Sequence, residues 1–264
     1  MPKNCLKWHG GKSYLAKQII SLIPKHTHYA EPYAGGLSVL LLKKPNGISE
    51  TVNDIHGELI NFWKVLADKE SFEHLYRQLV CTPLAQPLFD AAITNNGSNI
   101  DRAKQFFIRV RQSRQGLQRD YTTPTKRTRR GMNEQVSAWL SAIDGLPEIH
   151  QRLIRVEIRQ LQATQFITKY DHQGCCFYCD PPYLHNTRSS IGEYTHEMTN
   201  KDHEQLLDTL ATIKGKFLLS GYHSDLYDNW SAQHNYRCIE IQIDNKASGA
   251  KTKQQKTECI WINY

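Results

Sequence analysis

Phe177-Tyr178-Cys179-Asp180-Pro181-Pro182-Tyr183 joins an apolar run to an abrupt stop. From Cys175 to Cys179 every residue is apolar or aromatic, the pattern of a short strand covered on both faces, as strands of parallel sheets are. Two prolines follow almost at once, and proline has no N–H to give to a ladder, so the strand stops. An acid, a stiff turn with free carbonyls and the ring of Tyr183 therefore arrive together at the carboxyl end of a strand. In open α/β sheets that edge binds ligands. A carboxylate, two carbonyls and a flat ring suit a planar group that carries an amine.

Upstream, Tyr29-Ala30-Glu31-Pro32-Tyr33-Ala34-Gly35-Gly36-Leu37-Ser38 reads as a strand, a glycine turn and the start of a helix through Val39-Leu40-Leu41-Leu42. Such a turn lets a ligand approach the backbone closely and offers it the free N–H groups of a helix start, although many βα turns hold no ligand. A second strand, Ile48 to Val52, ends at Asn53-Asp54. A carboxylate roughly 20 residues beyond the glycine turn is placed to bind ribose hydroxyls. Asp54 is expected in that role; its alternative is an N-cap for a helix from Glu58 to about Leu66. Nearer the start, Gly10-Gly11-Lys12-Ser13 precedes an amphipathic helix from about Tyr14 to Ile23. A phosphate-binding loop would need glycine where Leu6 stands, so the segment is read as a glycine-rich cap presenting Trp8 and Lys12.

From about Lys69 to Leu153 the βα rhythm lapses and helical patterns dominate. This stretch holds Lys104, Arg109, Arg111, Arg114, Arg119, Lys126, Arg127, Arg129 and Arg130, opposed between them only by Asp120. Thr122-Thr123-Pro124-Thr125 and Gly131 suggest a turn or hairpin for its second half. Arginine serves phosphates and guanine edges, and Tyr121 supplies a stacking ring, which favours a nucleic-acid surface over a merely solvated face. Leu153 to Ile158, Lys216 to Ser220, Cys238 to Ile243 and Cys259 to Asn263 are then read as strands, with Lys201 to Ile213 a helix. The last two strands pair as an antiparallel hairpin across a loop from Asp244 to Glu258.

The chain of 264 residues has the composition of an ordinary globular protein, 39% hydrophobic and 22% charged, and a formal net charge of +7. The basic balance favours a polyanionic partner. No apolar run reaches membrane-spanning length and the start lacks a signal-peptide core, so a cytoplasmic location and no membrane partner are expected. Seven cysteines without framework spacing are taken as packing thiols. Cys176 and Cys179, three apart on a strand, face opposite sides of the sheet, and no metal is expected.

Lys7-Trp8-x-Gly10-Gly11-Lys12, Glu31-Pro32-Tyr33-Ala34-Gly35-Gly36, Asn53-Asp54, the basic insertion and Asp180-Pro181-Pro182-Tyr183 occur in one order over nearly the whole chain. Together they closely resemble the Dam-type (D12 class) DNA adenine-N6 methyltransferases. The resemblance implies an α/β, Rossmann-like methyltransferase sheet formed by residues 1–68 and 154–264, with a mainly helical DNA-recognition insertion, carrying a basic hairpin, at 69–153. It implies S-adenosylmethionine as cofactor, bound by Trp8, Gly11, Lys12, Tyr33, Gly35, Gly36, Asp54, Gln162 and Asp180. Leu37 stands where the family usually has a further glycine, and Gln162 stands near a frequent acid. Asp180, Pro181, Pro182 and Tyr183 would be catalytic, acting on adenine flipped from double-stranded DNA. Arg114, Arg119, Tyr121, Lys126, Arg127, Arg129, Arg130 and Tyr194 would contact the DNA, with 185–198 a loop over the target base. Cys179 would not be a nucleophile. An N4-cytosine methyltransferase and a catalytically silent DNA-binding protein of the same fold are the alternatives.

Overall fold

The run Cys175–Cys179 is the central strand of a seven-stranded sheet in the computed structural model, and every residue of it is buried. The structure describes residues 2–45, 47–92, 96–184, 196–244 and 255–264. Helix α1 (Ala16–Leu22), strand β1 (His28–Glu31), helix α2 (Ser38–Leu42), strand β2 (Ser49–Asn53) and helix α3 (Gly57–Ala67) come first. Helices α4 (Lys69–Val80), α5 (Gln86–Ala91) and α6 (Asn99–Gln112) follow, then a small hairpin of β3 (Thr128–Arg129) and β4 (Met132–Asn133), then α7 (Glu134–Asp144) and α8 (Leu146–Leu153). The alternation resumes with β5 (Glu157–Arg159), α9 (Ala163–Tyr170), β6 (Cys175–Cys179), α10 (Asn200–Thr212), β7 (Lys216–Gly221), α11 (Asp225–Gln233), β8 (Arg237–Asp244) and β9 (Gln255–Ile262).

The sheet order is β5-β2-β1-β6-β7-β9-β8. The first five strands in that order are parallel and β9 runs antiparallel to both β7 and β8. Between β1 and β6 the order reverses, which opens a crevice beyond the carboxyl ends of those two strands. Period-two alternation divides β6 between two cores: Cys176 and Tyr178 pack on one side of the sheet, Cys175, Phe177 and Cys179 on the other. The opposite orientation of Cys176 and Cys179 follows, and burial raises both thiols, that of Cys176 to about 12.

The described residues of 69–153, expected as an insertion, share a buried cluster with the sheet domain. Phe106, Phe107, Trp139 and Leu153 belong to the same buried cluster as Val52 and Trp63. Helix α6 starts at a capping box between Ser98 and Asp101, and α10 at another between Thr199 and Asp202. The β3–β4 hairpin forms where the turn residues are: Arg130 (φ 56°) and Gly131 (φ 73°) both take left-handed conformations between the paired Arg129 and Met132. One expected strand is corrected. Leu153 ends a helix, and only Glu157–Arg159 is extended. Leu146, Ile149 and Leu153 recur at helical spacing and are fully buried, whereas Ile154 is 53% exposed, so the apolar positions there follow a helix face.

Asn53, fully buried at the end of β2, ties three strand ends together. Its amide donates to the Pro32 carbonyl (3.0 Å) and the Leu161 carbonyl (3.0 Å), and its oxygen accepts from the Leu161 N–H (2.8 Å). Asn53→Leu keeps the volume but leaves these backbone groups unpaired. It is expected to lower unfolding free energy by about 3 kcal/mol or more in urea titration, since each orphaned group costs ~1–3 kcal/mol.

Candidate active site

The crevice at the switch point is a cleft of ≈ 350 Å³, within the size range of small-molecule sites. Trp8, Gly11, Lys12, Tyr33, Gly35, Gly36, Asp54, Gln162 and Asp180 all line it, together with Pro181 and Pro182. These residues come from the N-terminal cap, the turn after β1, the end of β2, the start of α9 and the end of β6, so the fold brings the sequence-expected cofactor set to one place.

The turn after β1 is shaped around Trp8. Gly35 has φ 44°, and a Cβ there would lie 2.6 Å from the indole nitrogen of Trp8. The Trp63 indole donates to the Gly35 carbonyl (3.1 Å), and Asp54 accepts the Gly35 N–H (3.0 Å). Leu37 itself adopts the left-handed conformation (φ 55°) that glycine would take without strain. That strain, ~1–2 kcal/mol, is offset by complete burial of the Leu37 side chain.

Asp54 also accepts the His56 N–H (3.0 Å), so both its oxygens brace backbone around the cleft. Burial raises its pKa, against the lowering effect of those two N–H groups. The cap of α3 is His56, not Asp54: its Nδ1 accepts the Leu59 N–H (3.2 Å), and burial lowers its pKa. The His56 ring meets Trp8, Phe106 and His196 edge-on, an aromatic wall that residue spacing did not announce.

At the other side of the cleft, the Lys12 side chain is buried to 5% exposure. Its ammonium donates to Asp180 Oδ1 (2.8 Å) and to the Gly10 carbonyl (3.0 Å), lies 3.7 Å from Glu258 Oε1 and sits 4.6 Å from the centre of the Tyr183 ring. Tyr183 is 7% exposed, donates its hydroxyl to Glu258 and meets the edge of Tyr222. Burial pushes the Tyr183 phenol well up and also raises the Glu258 carboxyl, which Lys12 opposes. Glu258, expected from the sequence at the end of a loop, lies inside β9 with its carboxylate fully buried against the site. A lone acid in the apolar strand run Thr257–Ile262 was the available signal.

The insertion reaches the cleft through one tight loop. Gly116, Leu117 and Gln118 line it, and the loop is closed by Ser113 pairing with Tyr121 and by Arg114 N–H to the Asp120 carbonyl (2.9 Å). A Cβ on Gly116 (φ 78°) would lie 1.7 Å from the Lys7 carbonyl oxygen, so glycine alone allows this approach. Arg109 holds the loop from below, stacked over Phe89 and donating to the Gln118 carbonyl, while Arg111 is half-buried and donates to the Ala138 carbonyl (2.7 Å). Arg114, Arg119, Lys126, Arg127 and Arg129 are exposed. Arg130 is exposed too but folds onto α7, at Ser141 (2.8 Å) and Asp144 (3.9 Å). Tyr121 is half-buried and packs on Phe89. Tyr194 and most of the expected loop over the target base, 185–195, lie outside the described residues.

Glu31, also at the cleft, is buried and its carboxyl is pushed up to about 8 by desolvation, although the Tyr29 hydroxyl donates to it (2.9 Å). A carboxyl raised from the usual 4.5 favours folding fully below that pH, and its contribution is lost as pH rises towards 8. Glu31→Gln is therefore expected to flatten the fall in melting temperature across that interval, measured by thermal unfolding at a series of pH values.

A family profile described as D12 class N6 adenine-specific DNA methyltransferase matches residues 8–243. Among curated proteins, the chain is similar to the Type II methyltransferase M.FokI of Planomicrobium okeanokoites, with 24% identity over 283 aligned residues that take in 99% of this chain. The chain spans 43% of the length of that relative. With the profile covering residues 8–243, most of the chain, the chain belongs to the D12 class N6 adenine-specific DNA methyltransferase family.

Proposed function

We propose that the chain transfers the methyl group of S-adenosylmethionine to N6 of an adenine turned out of duplex DNA. The observation that carries this reading is the convergence of Trp8, the Tyr33–Gly36 turn, Asp54 and Gln162 on the same cleft as Asp180 and its two prolines. The residues suit the cofactor. Asp54 keeps lone pairs for ribose hydroxyls beyond its two backbone bonds, Trp8 and the close-packed glycines form a flat wall, and Gln162 offers an amide near the adenine end. When bound, S-adenosylmethionine supplies an electrophilic methyl on a sulfonium centre.

The chain's own part is to hold and orient the amine. The N6 lone pair of adenine is delocalised into the ring and is a poor nucleophile. Asp180 and the Pro181 carbonyl accept its two hydrogens, which favours a pyramidal nitrogen with its lone pair turned outward. Lys12 occupies Asp180 Oδ1 and leaves Oδ2 for the amine. Catalysis of this kind is positioning and preorganised electrostatics, without a covalent enzyme intermediate. Tyr183 stacks on the base in this reading, which requires its ring to be uncovered from Lys12 and Tyr222. Extruding a base costs a few kcal/mol. The exposed Arg114, Arg119, Lys126, Arg127 and Arg129 supply phosphate and base contacts, with Arg130, Tyr121 and Tyr194 completing the surface.

The direct test is methylation of plasmid DNA in vitro with the modified bases mapped at nucleotide resolution; N4-methylcytosine, or no modification, would overturn the reading. Asp180→Ala is expected to abolish transfer while duplex binding persists in a gel-shift assay. Neutralising Arg127 and Arg129 together is expected to reduce the slope of log affinity against log salt by roughly 2, since each phosphate contact carries about 0.9.

A further inference from the structure

On the face of the sheet away from Glu258, three ligand-type side chains meet. His223, just beyond β7, Cys238 on β8 and Cys259 on β9 place their donor atoms within 4.8 Å of one another. Strand register makes this a built arrangement. Glu240 lies directly opposite Cys259, and Cys238 lies opposite Trp261, so alternation puts Cys238, Glu240 and Cys259 on one face. The two thiols lie on neighbouring strands within reach of a single ion. The His223 ring is held between two carboxylates, Nδ1 at 2.9 Å from Asp228 Oδ1 and Nε2 at 3.3 Å from Glu240 Oε1.

We propose that Cys238, Cys259 and an imidazole nitrogen of His223 bind a divalent transition-metal ion of the zinc class, with water as the fourth ligand and Asp228 orienting the imidazole. The dimensions agree. Zinc–sulfur bonds of about 2.3 Å and zinc–nitrogen or zinc–oxygen bonds of about 2.0–2.1 Å set tetrahedral ligand separations of about 3.3–3.8 Å. The donor atoms of His223, Cys238 and Cys259 need to draw in by about 1 Å from the 4.8 Å within which they lie. Thiolate and imidazole donors select zinc-like ions over magnesium or calcium. A ligating histidine whose other nitrogen meets a carboxylate is the usual arrangement around zinc, and Asp228 stands there. Binding releases the two thiol protons to solvent. His223 is 46% exposed and Glu240 56%, so the ion has a path in.

The ion would act as a clamp on the active site. Cys259 adjoins Glu258, whose carboxylate faces Lys12 and Tyr183, and His223 adjoins Tyr222, which meets the Tyr183 ring. One ion would thus fix β9 and the turn after β7 where they support the Asp180 corner. The cluster His28, His172 and Cys175 is the natural control. It offers one thiol against the two of the proposed site.

The test titrates the reduced, metal-stripped full chain with Co²⁺, then displaces it with Zn²⁺. One equivalent of Co²⁺ giving a thiolate charge-transfer band and the intense visible bands of four-coordinate cobalt is expected. Cys238→Ser and Cys259→Ser should abolish the charge-transfer band, and Cys175→Ser should leave it intact. Asp228→Asn should weaken binding ~10–100-fold, the usual effect of losing an outer carboxylate. Zn²⁺ should raise the melting temperature of the wild-type chain and of Cys175→Ser but not of Cys238→Ser. His223→Ala, at an exposed position, keeps the test independent of core packing and should also lose four-coordinate spectra. Absence of these bands in the wild type, their survival in Cys238→Ser, their loss in Cys175→Ser, or a Cys238–Cys259 disulfide in protein purified without reductant would overturn the proposal.

Discussion

The buried ammonium of Lys12 is the contact on which the site depends. It lies 5% exposed among Asp180, Glu258, the Gly10 carbonyl and the Tyr183 ring, and so joins the N-terminal cap to the carboxyl end of β6 and to β9. A buried cation is tolerated only when paired and hydrogen-bonded, and here two carboxylates compete for it. Without it, both acids would lose their shared counter-charge, and removing one partner of such a buried set costs about 3–5 kcal/mol. The same geometry commits Oδ1 of Asp180 to Lys12.

Opposite that corner, backbone groups of the cleft are held by the side chains of Asn53 and Asp54 at the end of β2, and by Trp63 of α3. Asn53 closes β1 onto the residue after β5, and Asp54 closes the glycine turn onto the start of α3. The strained left-handed Leu37 and the close approach of Gly35 to Trp8 persist because this frame over-determines them. The result is a rigid half of the crevice facing a charged half. That division suits a site that fixes one ligand and orients another.

The segment 69–153 is joined to this centre by packing. Its helices share the core of Trp63 and Val52, and the Gly116 loop rests on Lys7 at the cleft edge. Its basic residues divide accordingly. Arg109 and Arg111 turn inward and hold the loop, and Arg130 folds onto α7, whereas Arg114, Arg119, Lys126, Arg127 and Arg129 remain on the surface. Charge content in a linear stretch does not separate these groups, because a guanidinium that donates to a carbonyl has the same letter as one that faces solvent. The fold thus trims the basic surface to fewer residues than the sequence contains.

What the sequence by itself determined is what neighbouring residues encode. The apolar run stopped by Pro181 and Pro182, the glycine turn, the capped helix α10 and the hairpin turn at Arg130-Gly131 all follow from backbone chemistry within a few positions. The strand assigned from Leu153 failed for the same local reason, since a short apolar run is compatible with either period until burial decides which face is covered. Tertiary structure decided the rest. Lys12 meets Asp180 across 168 positions, and Asn53 reaches Leu161 across 108. Glu258 and the His223, Cys238 and Cys259 cluster likewise come together only once β9 is inserted between β7 and β8. No spacing in the chain announces such meetings, because they depend on which strands the sheet places side by side.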